Sequence, residues 1–203
     1  MTLVLASGSA GRLRVLRDAG LDPEVVVSGV DETTEAGLGT AEIVGILAER
    51  KAAAVAAERP RDLVLGCDSL LELDQASWGK PASAAAAEAM WRRLSGREGT
   101  LWTGHCLIDG VSGRRVRAVA RAAVRFAAPS DAEIAAYVAS GEPLAVAGAF
   151  SIDGLGGAFV ASIDGHPSTV IGLSLPALRE MLAGLGLALT ELWRAGAPAH
   201  VRR

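Results

Sequence analysis

Histidine, cysteine and tyrosine are scarce in this chain: three, two and one among 203 residues. His105, His166 and His200 lie far apart and show no zinc-ligand spacing. Cys67 and Cys106 follow neither a metal nor a disulfide pattern; both sit in apolar β-like runs and read as reduced core residues. No apolar run reaches the roughly 18 residues that a membrane-spanning helix needs. The start has no basic region, and its apolar run stops at Ala6, so no secretory signal is visible and a cytoplasmic protein is expected. A dominant charge is missing as well. The net charge of −3 and the absence of a basic stripe predict no binding to nucleic acid. The G-x-x-x-x-G-K-[ST], G-x-S-x-G and strand-following G-x-G-x-x-G patterns are absent. That argues against a P-loop ATPase, a serine hydrolase and a dehydrogenase.

What is present is ample apolar material. The chain is 50% hydrophobic, enough for one domain over residues 1–203, or two closely joined lobes, with a tail at 195–203 that lacks periodicity. Strand signals occur at 2–6, 24–28, 62–66, 69–73, 100–108, 115–126 and 158–163. Helical periodicity appears at 12–19, 41–58, 83–94, 131–139 and 174–190. Thr40 with Glu42, Ser83 and Ser130-Asp131 supply helix-start signals. Strands and helices alternate at first, whereas residues 100–126 read as two long strands joined by a hairpin at 109–113. The fold class is therefore α/β, with a mixed twisted sheet and flanking helices.

The first twelve residues carry the strongest chemical signal. The apolar stretch Thr2–Ala6 runs into Ser7-Gly8-Ser9-Ala10-Gly11-Arg12, and a helix follows. Free amides at a helix start, glycines that admit close approach and a fixed arginine make an anion site. Arg12 in a first helical turn opposes the helix dipole, which an outside anion would compensate. The alternative is a tight βα turn built of small residues for packing.

Asp68 follows the buried run 62–67. A carboxylate at a strand end is placed to bind a divalent ion or orient a water; the alternative is a turn aspartate bonding its own backbone. Asp31-Glu32, after another strand, are either solvated loop charges or a source of a second metal ligand. Lys51 and Lys80 are the only lysines among twenty basic residues. Lys51 has apolar neighbours at helical spacing, so it either snorkels or reaches into a cleft. Gly79 and Pro81 hold the backbone around Lys80. The polar-poor, glycine-rich segment 148–157 reads as a cleft wall. Ser9, Arg12, Lys51, Lys80, Asp68 and Glu32 together suit a polyphosphate with a divalent metal.

At these residues the chain resembles the Maf family of nucleoside triphosphate pyrophosphatases. Leu5–Arg12 is similar to the family's L-A-S-x-S-P-R-R opening, and Val30-Asp31-Glu32 matches V-D-E. Leu47-Ala48 with Lys51-Ala52, Gly66–Ser69 and Gly79-Lys80-Pro81 match L-A-x-x-K-A, G-x-D-[ST] and G-K-P. Leu94-Ser95-Gly96 with Thr103-Gly104, Ala147–Phe150 with Gly154-Leu155-Gly156, and Val170–Leu173 extend the match along nearly the whole chain. The resemblance implies a nucleotide cleft between two lobes and a homodimer. The implied reaction is hydrolysis of a nucleoside triphosphate to monophosphate and pyrophosphate with Mg²⁺ or Mn²⁺. It makes Asp68 the proton acceptor, Ser9, Arg12, Lys51 and Lys80 phosphate binders, and Glu32 with Asp68 the metal-site acids. It also implies removal of non-standard nucleotides and a link to cell-division arrest.

Three positions that the family associates with base choice are Gly11, Ser69 and Asp153. Gly11 stands where the family has an arginine, and Asp153 where it has a glutamine; Ala145-Val146 replace an Asp-Lys pair. An acceptor-only carboxylate at Asp153 favours a guanine-type base, including 7-methylguanine, over uracil or thymine. Two other readings use the same residues. A sugar nucleotidyltransferase would need a second, sugar-phosphate pocket. A non-catalytic nucleotide sensor would bind without turnover.

Overall fold

The computed structural model describes residues 1–194; the tail at 195–203 lies outside them. A mixed sheet of seven strands forms the centre, with order β2-β1-β3-β5-β6-β7 and β4 attached to β3. Its strands are β1 (Leu3–Leu5), β2 (Glu24–Val25), β3 (Leu63–Leu73), β4 (Ala76–Trp78), β5 (Glu98–Asp109), β6 (Arg115–Phe126) and β7 (Val160–Asp164). Strand β1 pairs in parallel with β2 and β3, and the other pairings are antiparallel. The helices are α1 (Ala10–Asp18), α2 (Thr40–Glu58), α3 (Ala84–Leu94), α4 (Asp131–Ala139), α5 (Pro167–Ile171) and α6 (Leu175–Leu185).

The period-2 alternation of strand side chains divides the core. Leu3, Leu5, Leu63, Leu65 and Leu107 pack with Val15 and Leu16 of α1 and Leu178, Met181 and Leu182 of α6. Val4, Val64, Cys106 and Ile108 point the other way, onto Ala48, Ala52 and Val55 of α2. A third cluster surrounds Trp91 of α3. Phe126, Tyr137 and Phe159 meet its ring edge-to-face at 5.4–5.8 Å, and Phe150 stacks likewise on Phe126.

Four expectations are corrected by this arrangement. The two signals at 62–66 and 69–73 are one strand. Asp68 and Ser69 interrupt its apolar pattern but not its pairing, because β5 stays in register from Leu63↔Asp109 to Glu72↔Thr100. Asp68 is therefore in mid-strand, not at a strand end. The strand at 24–28 shortens to two residues, so Asp31-Glu32 sit in irregular chain instead of closing a strand. The cap of α2 is Gly39, not Thr40, although Glu42 does close the helix start by accepting the Gly39 N–H at 2.9 Å. The last helix ends at Leu185, where Gly186 takes a left-handed φ of 83° and caps it. The hairpin at 109–113 and the caps at Ser83 and Ser130 are as expected.

Two glycines bring α2 against the sheet. A Cβ on Gly66 would lie 2.2 Å from the Ala48 carbonyl oxygen, and one on Gly104 would lie 2.1 Å from that of Val44. Only bare backbone permits this approach. It sets Lys51 of α2 beside Asp68, which shares a strand face with Gly66.

Candidate active site

On one edge, β3 pairs with β1 as far as Leu65 and with β4 only from Leu71. Among the described residues, no strand pairs with that edge between them. Asp68 and Ser69 occupy this gap and open, from alternate faces, into one cleft of about 1100 Å³. That is how a mid-strand carboxylate reaches the cleft. Ser9, Gly11, Arg12, Glu32, Lys51, Asp68, Ser69, Lys80 and Asp153 all line this cleft. The glycine-rich segment contributes Phe150 and Ser151 to the wall, as its composition predicts. A separate shallow depression at Val30–Glu35 gathers no comparable set, and its Arg50 donates to the Thr33 carbonyl.

Lys51 reaches into the cleft and does not snorkel. Its Nζ lies 2.6 Å from Asp68 Oδ1 and 2.6 Å from Glu32 Oε1. The Lys51 and Asp68 side chains are 11% and 10% exposed, whereas Glu32 is 62% exposed. Burial raises the Asp68 carboxyl above its ordinary value. The charge and hydrogen bond of Lys51, and the charge of Arg12, pull it back, and Glu32 adds to the rise. A buried carboxylate beside a cation is chemically suited to accept a proton from water.

Arg12 is fixed from three sides. Nε donates to the Gly172 carbonyl at 2.8 Å, Nη1 to Ser7 Oγ at 3.0 Å and Nη2 to Ser69 Oγ at 3.0 Å. Ser69 Oγ lies 3.0 Å from Thr103 Oγ1, which donates to the Thr169 carbonyl at 2.9 Å. Gly172 has φ 112°, and a Cβ there would come within 3.2 Å of both Arg12 Nε and Ser69 Oγ. Three of the five guanidinium N–H groups are thus held, and two remain for an anion. Ser69 supports Arg12, a contact that its expected link to base choice does not include.

Ser9 caps α1: its Oγ accepts the Arg12 N–H at 3.4 Å. Its hydroxyl proton and the amides of Ala10 and Gly11 have no partner among the described residues, so the helix start offers donors to phosphate. Lys80 is exposed at the rim and forms no ion pair among the described residues. Its neighbour Gly79 accepts the Gly148 N–H at 3.0 Å, which ties the Lys80 turn to the glycine-rich wall.

Asp153 is not a free acceptor. Arg14 Nη2 donates to its Oδ2. Sequence reasoning missed Arg14, and it named Ser7, Thr103 and Gly172 only as motif positions, without their contacts to Arg12 and Ser69. Arg14 is one helical turn beyond Gly11, a spacing that could have flagged it. Burial pushes the Cys67 thiol up to about 12, in line with an inert core residue. No three His, Cys, Asp or Glu side chains among the described residues form a metal-binding group. Asp68 and Glu32, which both face Lys51, are two acids of the cleft that could hold a divalent ion. That donor set fits Mg²⁺ or Mn²⁺, which take one or two carboxylates and complete their shells with water and phosphate. No helix among the described residues is long and apolar enough to cross a membrane.

Known proteins are similar to this chain in sequence along almost its whole length. The nucleoside triphosphate pyrophosphatase of Streptomyces coelicolor is 57% identical over 200 residues, covering 98% of this chain and 96% of that protein. The protein of the same name from Salinispora tropica is 54% identical over 205 residues, covering 98% and 91%. One from Mycobacterium sp. (strain JLS) is 53% identical over 204 residues, covering 94% and 97%. The family model described as Maf-like protein matches residues 2–185, and the chain belongs to that family.

Proposed function

We propose that this protein hydrolyses nucleoside triphosphates to monophosphate and pyrophosphate. The observation that carries the reading is the buried Lys51 ammonium shared by Asp68 and Glu32, with Arg12 and Lys80 lining the same cleft. Relatives more than 50% identical over nearly full length carry that activity in their names.

In this reading the triphosphate lies along the start of α1. The free amides of Ala10 and Gly11, the Ser9 hydroxyl and the two open N–H groups of Arg12 bind its oxygens. Lys51 and Lys80 add compact positive charge. Asp68 accepts a proton from a water attacking the α-phosphorus. The bond from that phosphorus to the bridging oxygen breaks, and pyrophosphate leaves with the electron pair. Asp68 and Glu32 would hold a divalent ion, which when bound would supply charge neutralisation. The remaining readings are a homodimer in the cytoplasm that clears non-standard nucleotides.

The test is a panel of natural and modified triphosphates with Mg²⁺ or Mn²⁺ and water as sole acceptor, scored for products. Monophosphate and pyrophosphate are expected. Diphosphate and orthophosphate would overturn the reading, and nucleotide binding without turnover would make the protein a sensor.

A further inference from the structure

Arg14 belongs to none of the motifs that point to the cleft, yet it forms part of the wall. It shares that wall with Gly11, three residues earlier on α1. Gly11 has no side chain, and a Cβ there would press on Ile171 Cγ2 at 3.1 Å. The wall is therefore low at Gly11, and the next side chain along it is the Arg14 guanidinium. That guanidinium bonds to Asp153, 139 residues away in sequence.

The loop bearing Asp153 is anchored before it. Trp91 Nε1 donates to the Ala149 carbonyl at 2.8 Å, and the Phe150 ring lies 4.9 Å from that of Phe126. The Asp153 N–H donates to Ser151 Oγ at 3.2 Å. The backbone is thus held ahead of Asp153, and Arg14 is the side chain bonded to its carboxylate. Arg14 binds Oδ2, and Oδ1 has no partner among the described residues.

We propose that Arg14 is a positioning residue for base selection, acting through Asp153. This rests on the pyrophosphatase reading of the cleft and on the link to base choice that the family resemblance implies for Asp153. The guanidinium neutralises the carboxylate and leaves one oxygen as a hydrogen-bond acceptor. An oriented acceptor without net charge selects a neutral base edge bearing N–H donors, as in guanine. It gives no special attraction to the fixed positive charge of a 7-methylated guanine, in contrast to a bare Asp153. Removal of Arg14 exposes that bare charge.

The experiment measures kcat and KM for GTP, 7-methyl-GTP and UTP, with pyrophosphate release as readout. The enzymes are wild type, Arg14→Ala, Arg14→Lys, Asp153→Asn and the Arg14→Ala/Asp153→Asn double variant. Thermal melting checks each fold. Arg14→Ala is expected to change the GTP-to-UTP ratio of kcat/KM about fivefold or more, mainly through KM, and to raise 7-methyl-GTP relative to GTP. Arg14→Lys should keep the wild-type ratio. In the Asp153→Asn background, loss of Arg14 should move the ratio less than twofold. A ratio unmoved by Arg14→Ala, or moved equally in both backgrounds, overturns the proposal. A wild type that prefers UTP would end the guanine reading of Asp153, yet a ratio that still depends on the Arg14–Asp153 pair would sustain the positioning role. Absence of pyrophosphate release from every triphosphate would instead remove the underlying activity.

Discussion

His105 makes the stability of this protein sensitive to mild acid. It lies in β5 and is 1% exposed. Its Nε2 accepts the Ser174 N–H at 2.8 Å, at the cap of α6. An imidazole that accepts at Nε2 is neutral and carries its proton on Nδ1. Protonation would set an N–H against the Ser174 N–H. Burial lowers the His105 pKa from 6.5 to about 4; the Ala118 and Thr103 carbonyls oppose that shift, and the Arg12 charge adds to it. The unfolded chain therefore takes up the proton first. The stability contribution is complete above pH 6.5 and is lost as pH falls towards 4. Between those values each pH unit removes about 1.4 kcal/mol, so about 2–3 kcal/mol has gone at pH 4.5. In a domain of this size that corresponds to a Tm lower by about 5–10 °C.

Carboxylates elsewhere titrate in the same range, so the assay compares wild type with His105→Gln. The glutamine oxygen can still accept the Ser174 N–H, and the side chain never charges. Urea or thermal melts from pH 7 to pH 4.5 should show the stability advantage of wild type shrinking by about 2–3 kcal/mol. Parallel pH profiles for the two proteins would refute the argument. The consequence extends to the cleft. Ser174 is two residues from Gly172, whose carbonyl holds Arg12, so acid that loosens the start of α6 should also loosen Arg12.

Asp68→Asn keeps the shape of the side chain and removes the base; turnover should fall about 10²-fold or more, with the products unchanged in a product assay. Near-normal turnover would reduce Asp68 to a structural partner of Lys51. Lys80→Ala should lower kcat/KM strongly with Tm unchanged, because the side chain is exposed and unpaired among the described residues; a collapse in Tm with normal activity per folded molecule would assign it a structural role. Gly104→Ala forces a methyl onto the Val44 carbonyl and should destabilise the fold by about 3 kcal/mol or more in denaturant melts, since overpacking against rigid backbone has no cheap relief.

The candidate site was more legible in the sequence than its supports. Ser9, Arg12, Glu32, Lys51, Asp68 and Lys80 are chemically distinctive types within short local patterns, whereas Gly11, Ser69 and Asp153 came from the family resemblance; all nine line one cleft. What could not be read depends on distant partners. The continuity of β3 through Asp68 is set by β5, some thirty-five residues later in the pairing register, and a polar Asp-Ser pair within an apolar run resembles a strand end locally. Ser69 looks like a cleft residue, but its contact with Arg12 becomes visible only once Thr103 and Gly172 are placed beside it. Short elements were missed for a related reason. Strand β4 follows a two-residue turn in which Asp74 and Gln75 take φ of 53° and 62°, without the glycine that normally marks such a turn. Arg93 and Arg97 bond Asp74 there, another pairing from outside the local sequence.

A lysine rather than an arginine at position 51 has a physical basis in this geometry. Arg12 is a planar fork held on three N–H groups, which suits a donor that must already point at the phosphate before binding. Lys51 has a different task. Its ammonium is the sole basic group paired with both Asp68 and Glu32 among the described residues, and it keeps two carboxylates compatible at the edge of a buried strand. In the proposed reaction the same charge would turn on a flexible stem towards the incoming phosphate, an exchange for which a planar guanidinium within 2.6 Å of two acids is poorly shaped. Lys51→Arg should therefore damage activity more than its unchanged charge implies, even where Tm is preserved. Wild-type kcat/KM in that variant would show that charge alone, and not the compact ammonium, is what this position requires.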